Sequence, residues 1–166
     1  MNPRPSGYEP TEAEEREALS ILQISPEDIR CAYCGDKSTE WDHFRPIIRN
    51  KEPTGYITEI ANLVPSCGKC NQSKGKSDWR TWMEGNAKLS PKTRSVPDLK
   101  DRVTRLQAYE AWHQPRKIDF AAIVGPEMWQ RHMRNRQKVL DLLKQSQELA
   151  NEIRDIVAEA VYPPKL

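Results

Sequence analysis

Cys31-Ala32-Tyr33-Cys34, Trp41-Asp42-His43-Phe44-Arg45-Pro46 and Asn62-Leu63-Val64-Pro65-Ser66-Cys67-Gly68-Lys69-Cys70-Asn71, closing on Lys74-Gly75-Lys76, decide how this chain folds. Two CxxC pairs bracket an Asp-His pair. Cys31, Cys34, Cys67 and Cys70 are the only cysteines in the chain. Two sulfurs three residues apart reach one ion only where the backbone turns sharply, and Gly35 permits that turn after the first pair. Two such knuckles predict a closed, tetrahedral zinc site with four cysteine ligands, one ion per chain, with a structural role. That ion would clamp the segment before Asp42-His43 onto the segment after it.

Outward from the knuckles, residues 39–44 read as a strand through the β propensity of Trp41, His43 and Phe44. Residues 61–65 read as a second strand. The two are expected to pair as an antiparallel hairpin around a loop that holds Pro53 and Gly55. A short helix is expected through Asn71 to Lys74, broken at Gly75. Ser77 is expected to cap a further helix through Trp79 and Trp82. Trp41, Trp79 and Trp82 read as aromatic core mass rather than base-stacking platforms.

Towards the N-terminus, Thr11-Glu12-Ala13-Glu14 is a capping box that opens a helix to about Gln23. Ser25-Pro26-Glu27-Asp28 repeats the start signal and predicts a second short helix. Residues 1–10 are rich in proline and polar groups and read as a disordered tail. They lack the apolar region of a signal peptide. Towards the C-terminus, residues 98–113 carry Leu99, Val103, Leu106 and Tyr109 on one helical face. Gly125-Pro126 begins a helix that runs to about Val161, about 50 Å long at the standard rise. A helix of that length projects as an arm, pairs with a second chain, or bends back. The organisation expected is therefore a tail at 1–10, N-terminal helices at 11–30, a core at 31–84 and a helical extension at 98–161.

The composition is lean, with 37% hydrophobic and 30% charged residues and a mean hydropathy of −0.83. A core this poor in apolar mass gains from a metal staple. No apolar run reaches the roughly 20 residues of a membrane span, so no membrane partner is expected. A cytoplasmic setting is expected, where paired CxxC spacing indicates metal rather than disulfides. Net charge is only +2, yet it is unevenly spread. Residues 1–30 carry three Lys/Arg against seven acids, a net of −4, while residues 44–105 carry thirteen against six, a net of +7. That excess suits a polyanion such as DNA, or is an ordinary solvated surface.

His43 is the candidate catalytic residue. Neighbouring side chains on a strand point to opposite faces, so Asp42 and His43 act on one phosphate only if the strand is twisted there or a metal lies at its end. His113 and His132 fall in helical patterns and read as structural. Arg131, Arg134, Arg136 and Lys138 form a basic run at the start of the last helix, read as a solvated face, with a track for the DNA backbone as the alternative.

Together these residues resemble the zinc-stapled HNH (ββα-metal) nucleases, whose pattern is CxxC, then DHxxP, then NLxxxCxxCNxxKG. The resemblance covers residues 28–84. It implies an α+β, treble-clef-like core with the four-cysteine zinc site, flanked by an N-terminal helix and long C-terminal helices. The family's last histidine is Asn71 here, a variant also found in the HNH domains of CRISPR effector nucleases. The resemblance implies a metal-dependent endonuclease acting on DNA and leaving 5′-phosphate and 3′-hydroxyl ends. His43 would be the general base, and Asp42 and Asn71 would hold one Mg2+ or Mn2+ ion. Asn62 would brace the loop and orient His43. Arg45, Lys74 and Lys76 would be phosphate contacts, with a solvated helix end the alternative for the two lysines. The competing readings are a non-catalytic zinc module that binds nucleic acid, and a docking protein that uses its last helix. A homodimer or a protein partner on that helix is compatible with either.

Overall fold

The computed structural model describes residues 9–162, so the expectation for the first eight residues lies outside it. The described residues form two compact units, 9–118 and 119–162. In the first, helix α1 (Glu12–Ile21) starts on Thr11 with the full capping box and buries Ala18 and Leu19. The expected helix at Ser25-Pro26 is a single turn, closed by Asp28 N–H on the Ser25 carbonyl at 3.2 Å. It cannot propagate, because Arg30 pairs across a bridge with Lys37 to form the first knuckle.

Strand β1 (Glu40–His43) then pairs with β4 (Leu63–Ser66) in antiparallel register, Asp42 opposite Val64 and His43 opposite Leu63. The loop between them holds a small hairpin of its own, β2 (Ile48–Arg49) and β3 (Glu52–Pro53). Asn50 and Lys51 both take positive φ at its tip, as a tight two-residue turn requires. A 3-10 turn over Ile60–Asn62 leads into β4.

Helix α2 (Gly68–Lys74) follows, with Cys67 at its N-cap, and packs on β1. It ends at Gly75, whose φ of +48° is open to a residue without Cβ. Helix α3 (Trp79–Met83) is capped by Asp78 rather than Ser77, the Asp78 carboxylate accepting from Thr81 N–H at 2.9 Å. The first unit closes with α4 (Leu99–Trp112), which buries Val103, Leu106 and Tyr109 in the same core as Tyr33, Phe44 and Val64. Trp79 and Trp82 are buried in that core, and Trp41 is half-buried. The Phe44 ring stacks on Trp79 at 5.1 Å and meets Tyr109 edge-on at 5.4 Å, so the residue after His43 is fixed on two sides.

The second unit has helices α5 (Phe120–Val124) and α6 (Pro126–Val161). The sequence reading does not contain α5. Phe120 stacks on Trp129 at 5.1 Å, which ties α5 to the first turns of α6. Helix α6 has 36 residues, about 54 Å, and no buried residue.

Candidate active site

The two knuckles bring Cys31, Cys34, Cys67 and Cys70 together, all buried, with every sulfur within 4.8 Å of the others. None is in a disulfide. Cys34 Sγ lies 3.7 Å from Cys67 Sγ. That is the edge of a tetrahedron with metal–sulfur bonds of about 2.3 Å, so the four thiols fit a single zinc-sized ion. Crowding polarises them: sharing a proton with Cys34 pushes the Cys31 thiol up to about 12, and the Cys34 thiol is lowered in turn. Arg94 Nη2 donates to Cys70 Sγ at 3.0 Å, and its other terminal nitrogen lies 3.7 Å from Asp36. A cation beside four sulfurs offsets the negative charge they carry as thiolates. The first knuckle is pinned to the sheet by Ala32 N–H on the Pro65 carbonyl, 2.9 Å.

Strand β1 supplies Glu40, Asp42 and His43 to the site. Glu40 and Asp42 share one face and meet α2; His43 alternates to the other. Asp42 is buried, and its Oδ2 receives both the Tyr33 hydroxyl at 2.6 Å and the Lys74 ammonium at 2.9 Å. Burial lifts its carboxyl above the usual range, against the pull of Lys74 and Tyr33. No hydrogen bond among the described residues is recorded to its Oδ1. Lys74 is fully buried and also donates to the His43 carbonyl at 2.8 Å. This corrects both expectations for Lys74: its ammonium is neither solvated nor offered to a phosphate. Lys76, two residues on, is exposed.

Asn71, on α2, donates through Nδ2 to Glu40 Oε2 at 2.5 Å. That bond turns its Oδ1 away from the carboxylate and leaves an amide oxygen for a ligand. Glu40 is held close, since a Cβ added at Gly68 would lie 3.1 Å from its Oε1. Glu40 and Asp42 on β1 and Asn71 on α2 carry oxygens, the hard donors that suit Mg2+ or Mn2+.

His43 is half-buried, and Nε2 shares a 2.8 Å hydrogen bond with Thr58 Oγ1. Burial lowers its pKa, Asp42 opposes this, and Lys74 adds to it. The ring is therefore biased to the neutral form near pH 7. Asn62 is fully buried and braces the chain on both sides of the loop. Its Oδ1 accepts from Arg45 N–H at 2.7 Å, and its Nδ2 donates to the carbonyls of Arg45 and Ile57 at 3.0 and 3.1 Å. Ile57 precedes Thr58, so one amide sets both the exit of β1 and the residue that holds His43.

Arg45 pairs with Glu110 at 3.1 Å and lies near the Phe44 and Tyr56 rings. It lines a cavity of about 430 Å³ together with Arg49, Tyr56, Asp78, Glu110 and Lys117. Glu40, Tyr33 and Thr58 were not singled out from the sequence. Glu40 alone carried a signal, its position two residues before Asp42 on a strand.

Residues 31–77 match the family model of the HNH endonucleases, and the four-cysteine cluster fits the zinc-bearing subtype of that family. The chain is also similar to the CRISPR-associated endonuclease Cas9 of Corynebacterium diphtheriae, 28% identical over 142 residues, which are 82% of this chain and 12% of that protein. The chain therefore spans only a small part of the length of the relative it matches. No solved structure matches it.

Proposed function

We propose that this chain is a metal-dependent endonuclease that hydrolyses DNA phosphodiester bonds to 5′-phosphate and 3′-hydroxyl ends. The observation that supports this reading is a half-buried His43, bonded to Thr58, at the end of the strand whose Glu40 bonds Asn71 and whose Asp42 is tied to the same helix through Lys74. In the tautomer whose Nε2–H donates to Thr58, the Nδ1 lone pair of His43 is left to take a proton from the attacking water. Asp42 and Asn71 would hold a divalent cation, with Glu40 orienting the Asn71 amide. That cation, Mg2+ or Mn2+, would supply Lewis-acid stabilisation of charge on the phosphoryl group and the departing 3′ oxygen. Asn62 acts as a positioning residue, through Arg45 and Ile57. Zinc in the four-cysteine cluster holds the two segments in register and takes no part in the chemistry.

DNA is the polyanionic partner, met by Arg45 and Lys76 on the basic side of the domain. The last helix serves for self-association or a protein partner. No described helix is long and apolar enough to cross a membrane. The thiol cluster suits a reducing, cytoplasmic setting.

The deciding experiment incubates supercoiled plasmid with Mg2+ or Mn2+ and compares the wild type with His43→Ala. Nicking or linearisation by the wild type alone supports the assignment. Equal cleavage by both removes His43 from the chemistry, and no cleavage by either favours a binding module.

A further inference from the structure

Helix α6 exposes a row of large apolar side chains with no cover in its own unit. Val139, Leu142, Leu149, Ile153 and Ile156 are each more than half exposed, at 53 to 67%. With Ser146 they are spaced by three, four, three, four and three residues, the alternation that forms a coiled-coil seam. The helix is also divided by charge. Residues 131–138 hold Arg131, Arg134, Arg136 and Lys138 with no acid among them, whereas residues 148–159 hold four acids and one arginine.

We propose that the occupant of this seam is α6 of a second copy, running antiparallel. The register follows from the layers. Setting Val139 against Ile156 of the second copy also sets Leu142 against Ile153 and Ser146 against Leu149. The two-fold axis repeats each layer, so every large apolar side chain of the seam meets another or fills the space beside the small serine. The overlap runs over residues 138–159, about 33 Å of helix. In this register Lys138 flanks Glu159 of the second copy, twice by symmetry, and Leu143 covers Ala150 on the other flank. A parallel pair would set Ser146 against Ser146 and bring the four cations of one helix beside those of the other. Like charges at that spacing oppose pairing, so the charge division selects the antiparallel arrangement.

The consequence is a particle with two HNH domains, one for each strand of a duplex. Only that consequence rests on the nuclease reading; the pairing rests on α6 alone. A dimer that does not cut, or a monomer that does, separates the failure of one from the failure of the other.

Light scattering on the eluting 166-residue, zinc-loaded chain is expected to give a mass near twice 19.2 kDa at micromolar concentration. A monomer throughout overturns the proposal. Sedimentation equilibrium then tests orientation. Lys138→Glu and Glu159→Lys are each expected to weaken the dimer about tenfold, and the two together to restore it to within about twofold. Failure of the double variant to recover overturns the antiparallel register. Both positions are exposed on a helix surface, so circular dichroism is expected to be unchanged in all three variants.

Discussion

The Asp42 carboxylate and the Lys74 ammonium meet at 2.9 Å, with both side chains almost wholly withdrawn from water. They come from β1 and the last residue of α2, so the pair bolts the helix that carries Asn71 to the strand that carries His43. Two buried charges stabilise a fold only as a pair with further hydrogen bonds, and here Tyr33 and the His43 carbonyl supply them.

Removing one member alone leaves the other charged and buried. Lys74→Met is expected to cost about 3–5 kcal/mol in urea unfolding. The exposed Lys76→Met is expected to stay within about 0.5 kcal/mol of wild type. Adding Asp42→Asn to Lys74→Met is expected to recover part of the loss, because no unpaired charge then remains. A Lys74→Met protein as stable as wild type would contradict the buried pair.

The pKa of His43 is lowered in the folded chain, chiefly by burial. A base held below its usual value of 6.5 stays neutral further into acid. The kcat/KM profile for DNA cleavage is therefore expected to rise with a midpoint below 6.5 and to be flat above it. Stability follows the same direction. A folded pKa below the unfolded one means that this contribution is present above pH 6.5 and lost as pH falls through the folded value. Thermal unfolding of wild type and His43→Ala across that window checks this, with the substituted protein less sensitive to acid. A midpoint well above 6.5 would place the titrating base elsewhere.

The Arg94 guanidinium touches Cys70 Sγ, so its removal should loosen the cysteine cluster without unfolding it. Arg94→Ala is expected to release zinc to a chromogenic chelator about tenfold faster than wild type, because groups that hydrogen-bond to metal ligands commonly contribute that much. Cys67→Ala is expected to lose the metal and the fold of the first unit together. Release rates equal to wild type in Arg94→Ala would show that its contact with sulfur carries no weight.

The cysteine cluster and the β1–β4 pairing were legible because both are written locally. Each CxxC pair is four residues long, and each strand declares itself by its own side chains. The partners of Asp42 were not legible. Tyr33 comes from the first knuckle and Lys74 from the far end of α2, and only the folded chain brings them together. Lys74 followed by Gly75 and Lys76 resembles a solvated helix end, and nothing in its neighbours signals burial. The turn at Ser25 illustrates the opposite error. A start signal was present, but the bridge between Arg30 and Lys37 claimed the backbone first. Strands β2 and β3 escaped because they have two residues each, too few to display a period.

Tyr109, on α4, donates its hydroxyl to the Leu63 carbonyl at 2.8 Å, touches the Ile60 carbonyl, and receives Leu63 N–H at 3.2 Å. The residue that faces His43 across the sheet is thus secured by a tyrosine more than thirty positions beyond the last residue of the family match. The recognisable motif is shorter than the piece of chain that can sustain it. A domain excised at the motif's edge, or grafted by that boundary into another protein, would arrive without its keystone. A transplant that carries the chain through Ile118 would bring it along.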